Sequence, residues 1–502
     1  MNKYFSILML SSVMLLASCV SDDSNDSVNT LNEAVISGIA DVYDNVYVDD
    51  RLSISPTVVS STGNLDAFSY FWITYDKQTY YHADTLSRTK DLDIKVTLTP
   101  GEHTLKFKAV DNATGIFYEK ESTVNVVNTF TNGIIMLCEN GEDAELAFWS
   151  PTNDRLTTDL YGKLNENDAL GKNPQRVFFN KYTNDEASEV IIMCQDGKGG
   201  KVLNSIMMTK AREYSDFFMS EPEAINPQGY FRSSMREYLI DGGKVFDRAT
   251  NSTTPVTTVK PSMNVMGRDY SISPECNLGD DAAFPSRMAL YDDANGCFYM
   301  LQNISTAFLT TAKKTNGVTY IDGGFFNPDN TGMTCVYANI NSRSETGARE
   351  YLGIFKTAAG EYHLLKFGIG FWVKDATPST YFKDLGNDVI TDPTVIAASS
   401  FSCSASFAGY MFYSKDNGIY VLNTGNMTSK KLFDLDASCS INRIELENKG
   451  DQLLVAFTDN AKEGKKAGFA VFSIGTDGGI NMSLVAKHEG VADRIVDFEQ
   501  KY

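Results

Sequence analysis

Histidine is scarce: His82, His103, His363 and His488 are the four in 502 residues, and no two stand at a metal-binding interval. So thin a supply argues against a His-centred zinc site or a Ser-His-Asp triad. The chain also has no H-E-x-x-H, no G-x-S-x-G and no Asp-rich calcium loop with its terminal Glu. The Gly-rich "GKGGK" of Gly197–Lys201 lacks the Ser or Thr of a phosphate-binding loop and falls between two strand-like runs. No catalytic residue, metal or cofactor is therefore assigned. Long apolar runs are missing too, and no segment approaches the ~20 residues a helix needs to cross a bilayer. Positive charge is in deficit, with 44 Lys and Arg against 64 Asp and Glu, a formal net charge of −20. Such a chain repels nucleic acid and anionic lipid. Cysteine is limited to eight residues with no C-x-x-C spacing. Most of them sit in apolar strand-like runs, as in "IIMLCEN", "VIIMCQD" and "GCFYML", and read as small core hydrophobes.

What is present begins with an export signal. Lys3 supplies a cationic start, Tyr4 to Leu16 an apolar run, and Ala17-Ser18 a small-residue cleavage site. Cys19 ends that run. Leu16-Ala17-Ser18-Cys19 resembles the bacterial lipobox, which implies that Cys19 is acylated and becomes the first residue of the mature chain. Removal of residues 1–18 takes only Lys3 among the charges and carries the net charge from −20 to −21. Multiple acyl chains on one residue give stable anchoring. Behind Cys19 the stretch "SDDSND" resembles the acidic surface-export signal of Bacteroidota lipoproteins, which gives Asp22 and Asp23 the role of routing the protein to the outer leaflet. Residues 20 to about 33 are Ser, Asp, Asn and Thr, too polar to fold, and form a tether of roughly 45–50 Å at full stretch.

From residue 34 to 128 short segments of period-2 alternation recur between turn residues, among them "LSISPTVV", "FSYFWITYD" and "STVNVVN". About seven strands in this length predict an immunoglobulin-like sandwich. Thr99-Pro100-Gly101-Glu102 reads as the turn of a hairpin. "YFWITYD" followed by "TPGEHTLKFKAVDNATG" resembles the PKD-like domains near the N-terminus of Bacteroidota surface lipoproteins, with Trp72 as a core residue of the sandwich.

Residues 129–502 carry no amphipathic helix longer than two turns and read as successive hairpins. "YLIDGGKVF", "YDDANGCFY" and "YSKDNGIYV" share a Tyr, three further residues and a Gly-ending turn before an apolar strand. Gly242-Gly243, Asn295-Gly296 and Asn417-Gly418 suit two-residue turns, whose central positions need positive φ. Looser copies centre on Gly141, Gly199, Ser344 and Ala461. Seven units roughly 45–75 residues apart match one four-stranded blade plus loops. The fold class is thus all-β, an immunoglobulin-like domain followed by a seven-bladed β-propeller; six or eight blades and a pair of further sandwiches are the alternatives. "SKDNG" at Ser414–Gly418 resembles the core of the Asp-box turn of sialidase-type propellers, a structural turn remote from the active centre, although Tyr420 and Val421 replace its Thr and Trp.

Three stretches break the hairpin rhythm, residues 211–234, 251–286 and 369–393, and read as functional loops. The third carries Phe371, Trp372, Tyr381 and Phe382. Phe371, Trp372, Tyr381 and Trp149 are the ligand-binding candidates, since aromatics with polar neighbours suit sugar rings or peptide side chains. Lipobox, acidic signal, PKD-like domain and propeller together resemble the accessory surface lipoproteins of SusC/SusD-like TonB-dependent nutrient importers. The resemblance implies an outer-membrane, cell-surface protein held by its lipid alone. Its implied partners are the importer and a glycan or oligopeptide. A surface hydrolase on the same scaffold and an adhesin are the competing readings. Replacing Asp22 and Asp23 with Ala should leave lipidation intact yet protect the protein from protease added to whole cells. Equal shaving of variant and wild type would reduce those acids to tether.

Overall fold

The computed structural model describes residues 31–502 apart from 49, 77–82, 128–129, 167, 220–222, 234–235, 250–263, 266–267, 277–286, 303–307, 312–317, 344–348, 375–376 and 448–449. Cys19, Asp22, Asp23 and Ser344 lie outside the described residues. The chain divides into two compact units, with the boundary between Val127 and Asn128.

In the first unit, Val42–Tyr47, Phe117–Val127, Gly101–Asp111, Phe68–Asp76 and Ala83–Ser87 form one five-stranded sheet in that order. Two smaller sheets pair Ala34–Ser37 with Thr57–Ser60, and Arg51–Ile54 with Leu92–Lys95. Alternation does the sorting. Along Gly101–Asp111 the buried residues are His103, Leu105, Phe107, Ala109 and Asp111, every second position. Trp72 is fully buried, tilted against Phe107 at 4.7 Å, and its indole N–H donates to the Lys90 carbonyl at 3.1 Å. It is a core residue, as its strand context implies. The turn at Thr99–Glu102 differs from expectation. Leu92–Lys95 before it and Gly101–Asp111 after it belong to different sheets, so the segment passes between sheets rather than closing a hairpin. The true hairpin follows at Asp111, whose Oδ1 accepts the Ala113 and Thr114 N–H groups.

The second unit holds seven separate sheets among the described residues. Sheet I joins Arg494–Lys501, Gly133–Asn140, Asp143–Ser150 and Arg155–Thr157, so the C-terminal strand completes the first sheet. Sheet II is Pro174–Asn180, Glu189–Cys194, Gly200–Asn204 and Lys210–Glu213. Sheet III is Pro227–Ser233, Arg236–Asp241 and Lys244–Ala249. Sheet IV runs from Arg287–Asp292 through Cys297–Gln302 and Phe308–Thr311 to Asn264–Val265, with Ile272 bridged to Asp292 ahead of it. Sheet V is Met333–Arg343, Arg349–Thr357, Tyr362–Lys374, Thr377–Ile390 and Val318–Ile321. Sheet VI is Ser400–Ser402, Tyr410–Lys415, Gly418–Asn423 and Thr428–Asp434. Sheet VII is Cys439–Leu446, Gln452–Asp459, Ala467–Gly475 and Asn481–Ala492.

The continuous apolar runs now have a cause. In Gly133–Asn140, Ile135 and Leu137 pack toward sheet II while Ile134, Met136 and Cys138 pack toward sheet VII. In Glu189–Cys194, Val190, Ile192 and Cys194 face sheet I, and Ile191 and Met193 face sheet III. A strand buried on both faces loses its alternation and reads as a solid block of hydrophobes. The same holds around the unit, because each consecutive pair of sheets shares one hydrophobic cluster. A further cluster joins sheet VII to sheet I through Phe469, Val471, Trp149 and Phe498. At roughly 1.5–3 kcal/mol for each large apolar side chain buried, that cluster outweighs any single polar contact, whose net worth is about 1 kcal/mol. The seven cysteines after Cys19 are all free and buried, and each belongs to one of these clusters.

Five of the seven hairpin centres read from sequence link the second and third strands of their sheets, and Asn295-Gly296 does so in sheet IV when the Ile272 bridge is counted as its first strand. Gly242-Gly243 is the two-residue turn expected, with φ of 53° and 75°. Asn295-Gly296 instead ends a four-residue loop between Asp292 and Cys297. At the third site the turn is Asp416-Asn417, with Asp416 at φ 53°, and Gly418 already pairs with Lys415. Near Ser344 the sequence points to the first hairpin of sheet V, and the equivalent second-to-third connection falls at Gly360. The longer irregular stretches also resolve differently. Residues 211–234 contain the short helix Tyr214–Phe217 and the strand Pro227–Ser233. Ile369–Pro393 is almost wholly the Tyr362–Lys374/Thr377–Ile390 hairpin, not a loop. Most of 251–286 lies outside the described residues.

A polar device recurs where the chain reaches the first strand of a sheet. Asp241 Oδ1 accepts the Asn226 N–H at 2.9 Å, and Asp292 Oδ1 accepts that of Ser271 at 2.9 Å. Asn140 Oδ1 holds the Asp493 N–H at 2.9 Å and Asp196 Oδ2 that of Lys172 at 3.2 Å. In sheet VI the Ser414 carbonyl does the same for Ser399 at 2.8 Å. In these five sheets the end of one strand thereby sets the start of its neighbour, which explains the Asp in the "YLID" and "YDD" repeats. Asp292 is fully buried and also receives the Ala294 N–H and the Tyr299 hydroxyl. Asp292→Ala strands these donors and should cost about 2–4 kcal/mol, read as a shift of the urea midpoint; an unchanged midpoint would mean that the turn holds without its carboxylate.

Candidate functional site

A cavity of about 970 Å³ opens in the second unit, and six of the seven sheets, with the Pro274–Cys276 segment ahead of sheet IV, contribute to its wall. The contributors are the first strands: Asn173–Phe178, Gln228–Phe231, Val336–Asn339, Ser399–Ser402, residues 442–447 and Arg494–Gln500, with Pro274–Cys276 ahead of sheet IV. These strands alternate like the others. Their apolar residues, such as Val177, Ile444 and Ile495, turn into the inter-sheet clusters, and the alternate polar residues face the cavity.

An ion-paired chain runs across it. Arg176 of sheet II reaches Glu275 beside sheet IV, Nη2 to Oε1 at 2.8 Å, although sheet III stands between them. The other guanidinium nitrogen lies 3.7 Å from Asp497 Oδ1 of the C-terminal strand. Arg443 of sheet VII binds the same oxygen at 2.5 Å and Glu445 Oε2 at 3.2 Å. Asp497 is 2% exposed, and its Oδ2 accepts the Val177 N–H at 2.9 Å. One carboxylate therefore ties sheets I, II and VII together at the cavity wall. At one end of the C-terminal strand Arg494 pairs with Glu139 at 3.3 Å, and at the other Gln500 donates to Glu447.

Glu445 keeps 35% of its side chain open to the cavity yet is ringed by protein. That enclosure, helped by Asp497 and opposed by Arg443, pushes its carboxyl up to about 7. The same surroundings hold Arg443 charged, because Asp497 and Glu445 outweigh the cost of burial. A raised carboxyl near a second carboxylate is the pattern of glycoside hydrolysis. Here Arg443 sits on both groups and Asp497 is buried in a backbone contact, so Asp497 is not free to attack a substrate. The arrangement is suited to holding charge and to hydrogen bonding.

A second charged cluster lies between sheets II and III. Glu189 receives Arg212 at 2.6 Å and Arg248 at 3.3 Å, while Glu237 takes the Arg248 Nε and the Tyr182 hydroxyl. Arg248 and Glu237 are each 1% exposed. No solute reaches them, and their work is structural.

Of the candidates read from sequence, Trp149 is the one whose side chain is described, and it is not part of the cavity wall. Trp149 is 4% exposed, packs edge-on against Phe469 at 5.7 Å and donates to Asp154 Oδ1 at 2.8 Å. It belongs to the closing cluster and offers no face to a ligand, a correction with a plain cause: its strand is covered on both sides. Phe371, Trp372 and Tyr381 lie on the long hairpin of sheet V, and their side chains are outside the described residues. Phe382 is fully buried in the core between sheets IV and V. The cavity residues themselves escaped sequence reading. Their one signal is the polar alternate of each short first strand, Arg176 in "QRVFF" or Arg443 and Glu445 in "NRIEL".

Residues 19–174 match the model of a PKD-like family, a span that covers the first unit and the opening of the second. No curated protein matches the chain. Among solved structures, it is similar to a quinonprotein alcohol dehydrogenase-like protein of Bacteroides thetaiotaomicron, with 12% identity over 89% of this chain and 96% of that one and a TM-score of 0.42. The WD40 repeats of RRP9 align at 9% identity over 66% of this chain and 88% of theirs, TM-score 0.37. A functionally unknown protein of Desulfotomaculum acetoxidans aligns at 9% identity over 72% and 97%, TM-score 0.36.

The sign of the Glu445 effect follows from its direction. The folded chain keeps a proton that the unfolded chain releases near 4.5, so stability falls as pH climbs from there to about 7 and stays low above it. Glu445→Gln removes this term. Melting temperatures taken at pH 5 and pH 8 should differ less in the variant than in wild type, and an undiminished difference would assign the pH dependence to other groups.

Proposed function

We propose that the second unit is a seven-bladed β-propeller whose central cavity binds a polar ligand without transforming it. In this reading the whole chain is a lipid-anchored outer-membrane surface protein that serves a SusC/SusD-like importer as an accessory substrate-binding or docking component. Seven sheets, each sharing an apolar cluster with the next and the last sharing one with the first, support the ring. The C-terminal strand, paired with Gly133–Asn140, supplies its closure. The observation that carries the binding role is the cavity, to which strands of six sheets and the Pro274–Cys276 segment contribute side chains while Glu275, Glu445 and Asp497 are held in ion pairs. A volume of about 970 Å³ is at the upper end of the range of small-molecule pockets and accommodates a short oligomer. The lipobox, the acidic stretch after Cys19 and the PKD-like match at residues 19–174 support the location and the importer context.

Two measurements test this. Calorimetric screening of the detergent-solubilised chain against glycan and oligopeptide panels should find a ligand that is recovered unchanged. Affinity capture from solubilised outer membranes should bring down a channel and its lid. A ligand that is hydrolysed would replace the binding role with catalysis. A chain that binds nothing and is captured alone would end the accessory reading.

A further inference from the structure

We propose that the ligand of the central cavity is cationic, an oligomer bearing protonated amines, and that anionic glycans are rejected there. This rests on the binding reading above and narrows it to a chemical class.

The argument starts from what the wall can still offer. Among the described residues its only cationic side chains are Arg176, Arg443 and Arg494, and no lysine lines it. Each guanidinium is already engaged by a carboxylate: Arg176 by Glu275, Arg443 by Asp497 and Glu445, Arg494 by Glu139. A guanidinium so held has little left to give a uronate or sulfate, whose binding would require breaking an existing charge-assisted pair. Two further acids, Glu447 and Glu499, also line the cavity. Six acidic side chains against three arginines leave the acids of the wall in the majority even with Glu445 protonated.

Position strengthens this excess. A concave site walled by protein focuses field lines, so a given charge counts for more than on an open surface. The whole chain adds to the effect with its net charge of −20. Glu445, 35% exposed, presents an oxygen to the cavity beside the Arg443 pair. Elsewhere on the wall, Phe178 of sheet II and Tyr337 of sheet V add aromatic surface, both only partly buried. Carboxylate together with aromatic face is the chemistry that receives an ammonium group. The same chemistry comes from two sources, lysine side chains of a peptide or the free amines of a glucosamine oligomer.

Charge-matched pairs separate the possibilities without any variant. Calorimetry on the detergent-solubilised chain would compare tri-lysine with its fully side-chain-acetylated form, and a glucosamine oligomer with the N-acetylglucosamine oligomer of equal length. The protonated member of at least one pair should bind about tenfold tighter at low salt, the equivalent of one charge-assisted contact, and the advantage should shrink as salt rises. Which pair shows it identifies peptide or glycan as the source. Glu445→Gln should narrow the ratio, while Glu463→Gln on the exposed surface should leave it unchanged. Equal binding of neutral and charged members, or preference for an oligogalacturonate, overturns the charge assignment and leaves the cavity as a binding site. Silence from every cationic, neutral and acidic ligand overturns the binding reading itself.

Discussion

The second unit depends on one constraint: none of its sheets can leave either face in water. Strands such as Gly133–Asn140 and Glu189–Cys194 carry hydrophobes at consecutive positions, so each sheet must be covered on both sides. A linear stack of such sheets always ends in two bare faces. Bringing sheet VII against sheet I removes both, and the cluster built on Phe469, Trp149 and Phe498 is the result. Hydrogen bonding agrees with packing at the same place, because Arg494–Lys501 adds itself to the edge of Gly133–Asn140. The strand that finishes the ladder also delivers Asp497 to the cavity, where it accepts Arg176, Arg443 and the Val177 N–H. The same eight residues thus complete sheet I and bring Asp497 to the cavity wall.

Polar groups follow from that arrangement in two ways. At the outer ends of the first strands, carboxylates and amides such as Asp241, Asp292 and Asn140 hold backbone N–H groups that no ladder satisfies. Inside the cavity the alternate positions of the same strands meet across open space, which only long side chains can bridge. Arginine does this best, being planar, permanently charged and able to engage two carboxylates at once. The Arg176–Glu275 contact past sheet III is the clearest instance.

The all-β character and six of the seven second-to-third-strand hairpins, with the Ile272 bridge counted in sheet IV, were legible in the sequence, because both rest on local signals: alternation, Gly or Asn at turns, and apolar blocks. Gly242-Gly243 carried its turn type openly. Asn417-Gly418 misled by one residue because an Asp can also take positive φ, and Asp416 does. Thr99–Glu102 has the composition of a hairpin turn, but its flanking strands find partners far away in the chain, which no local pattern records. Residues 369–393 resemble a loop through Gly370, Pro378 and mixed charge, yet pairing of Thr377–Ile390 with Tyr362–Lys374 and with the distant Val318–Ile321 makes them strand. The cavity was the least legible part. Its residues come singly from stretches spread between Glu139 and Gln500, and aromatics drew attention instead. Trp149 shows why: conspicuous in sequence, it is conspicuous in the core.

The C-terminal strand also sets a clock. Gly133–Asn140 is made some 350 residues before Arg494–Lys501, which at ribosomal speed is roughly 20–70 s. Throughout that interval the first sheet has an open edge and an uncovered apolar face, the very features through which nascent chains stick to one another. Nothing made earlier in the chain occupies that edge in the finished structure. The lifetime of that unfinished sheet, rather than the strength of the finished one, is where this architecture is exposed to misassembly.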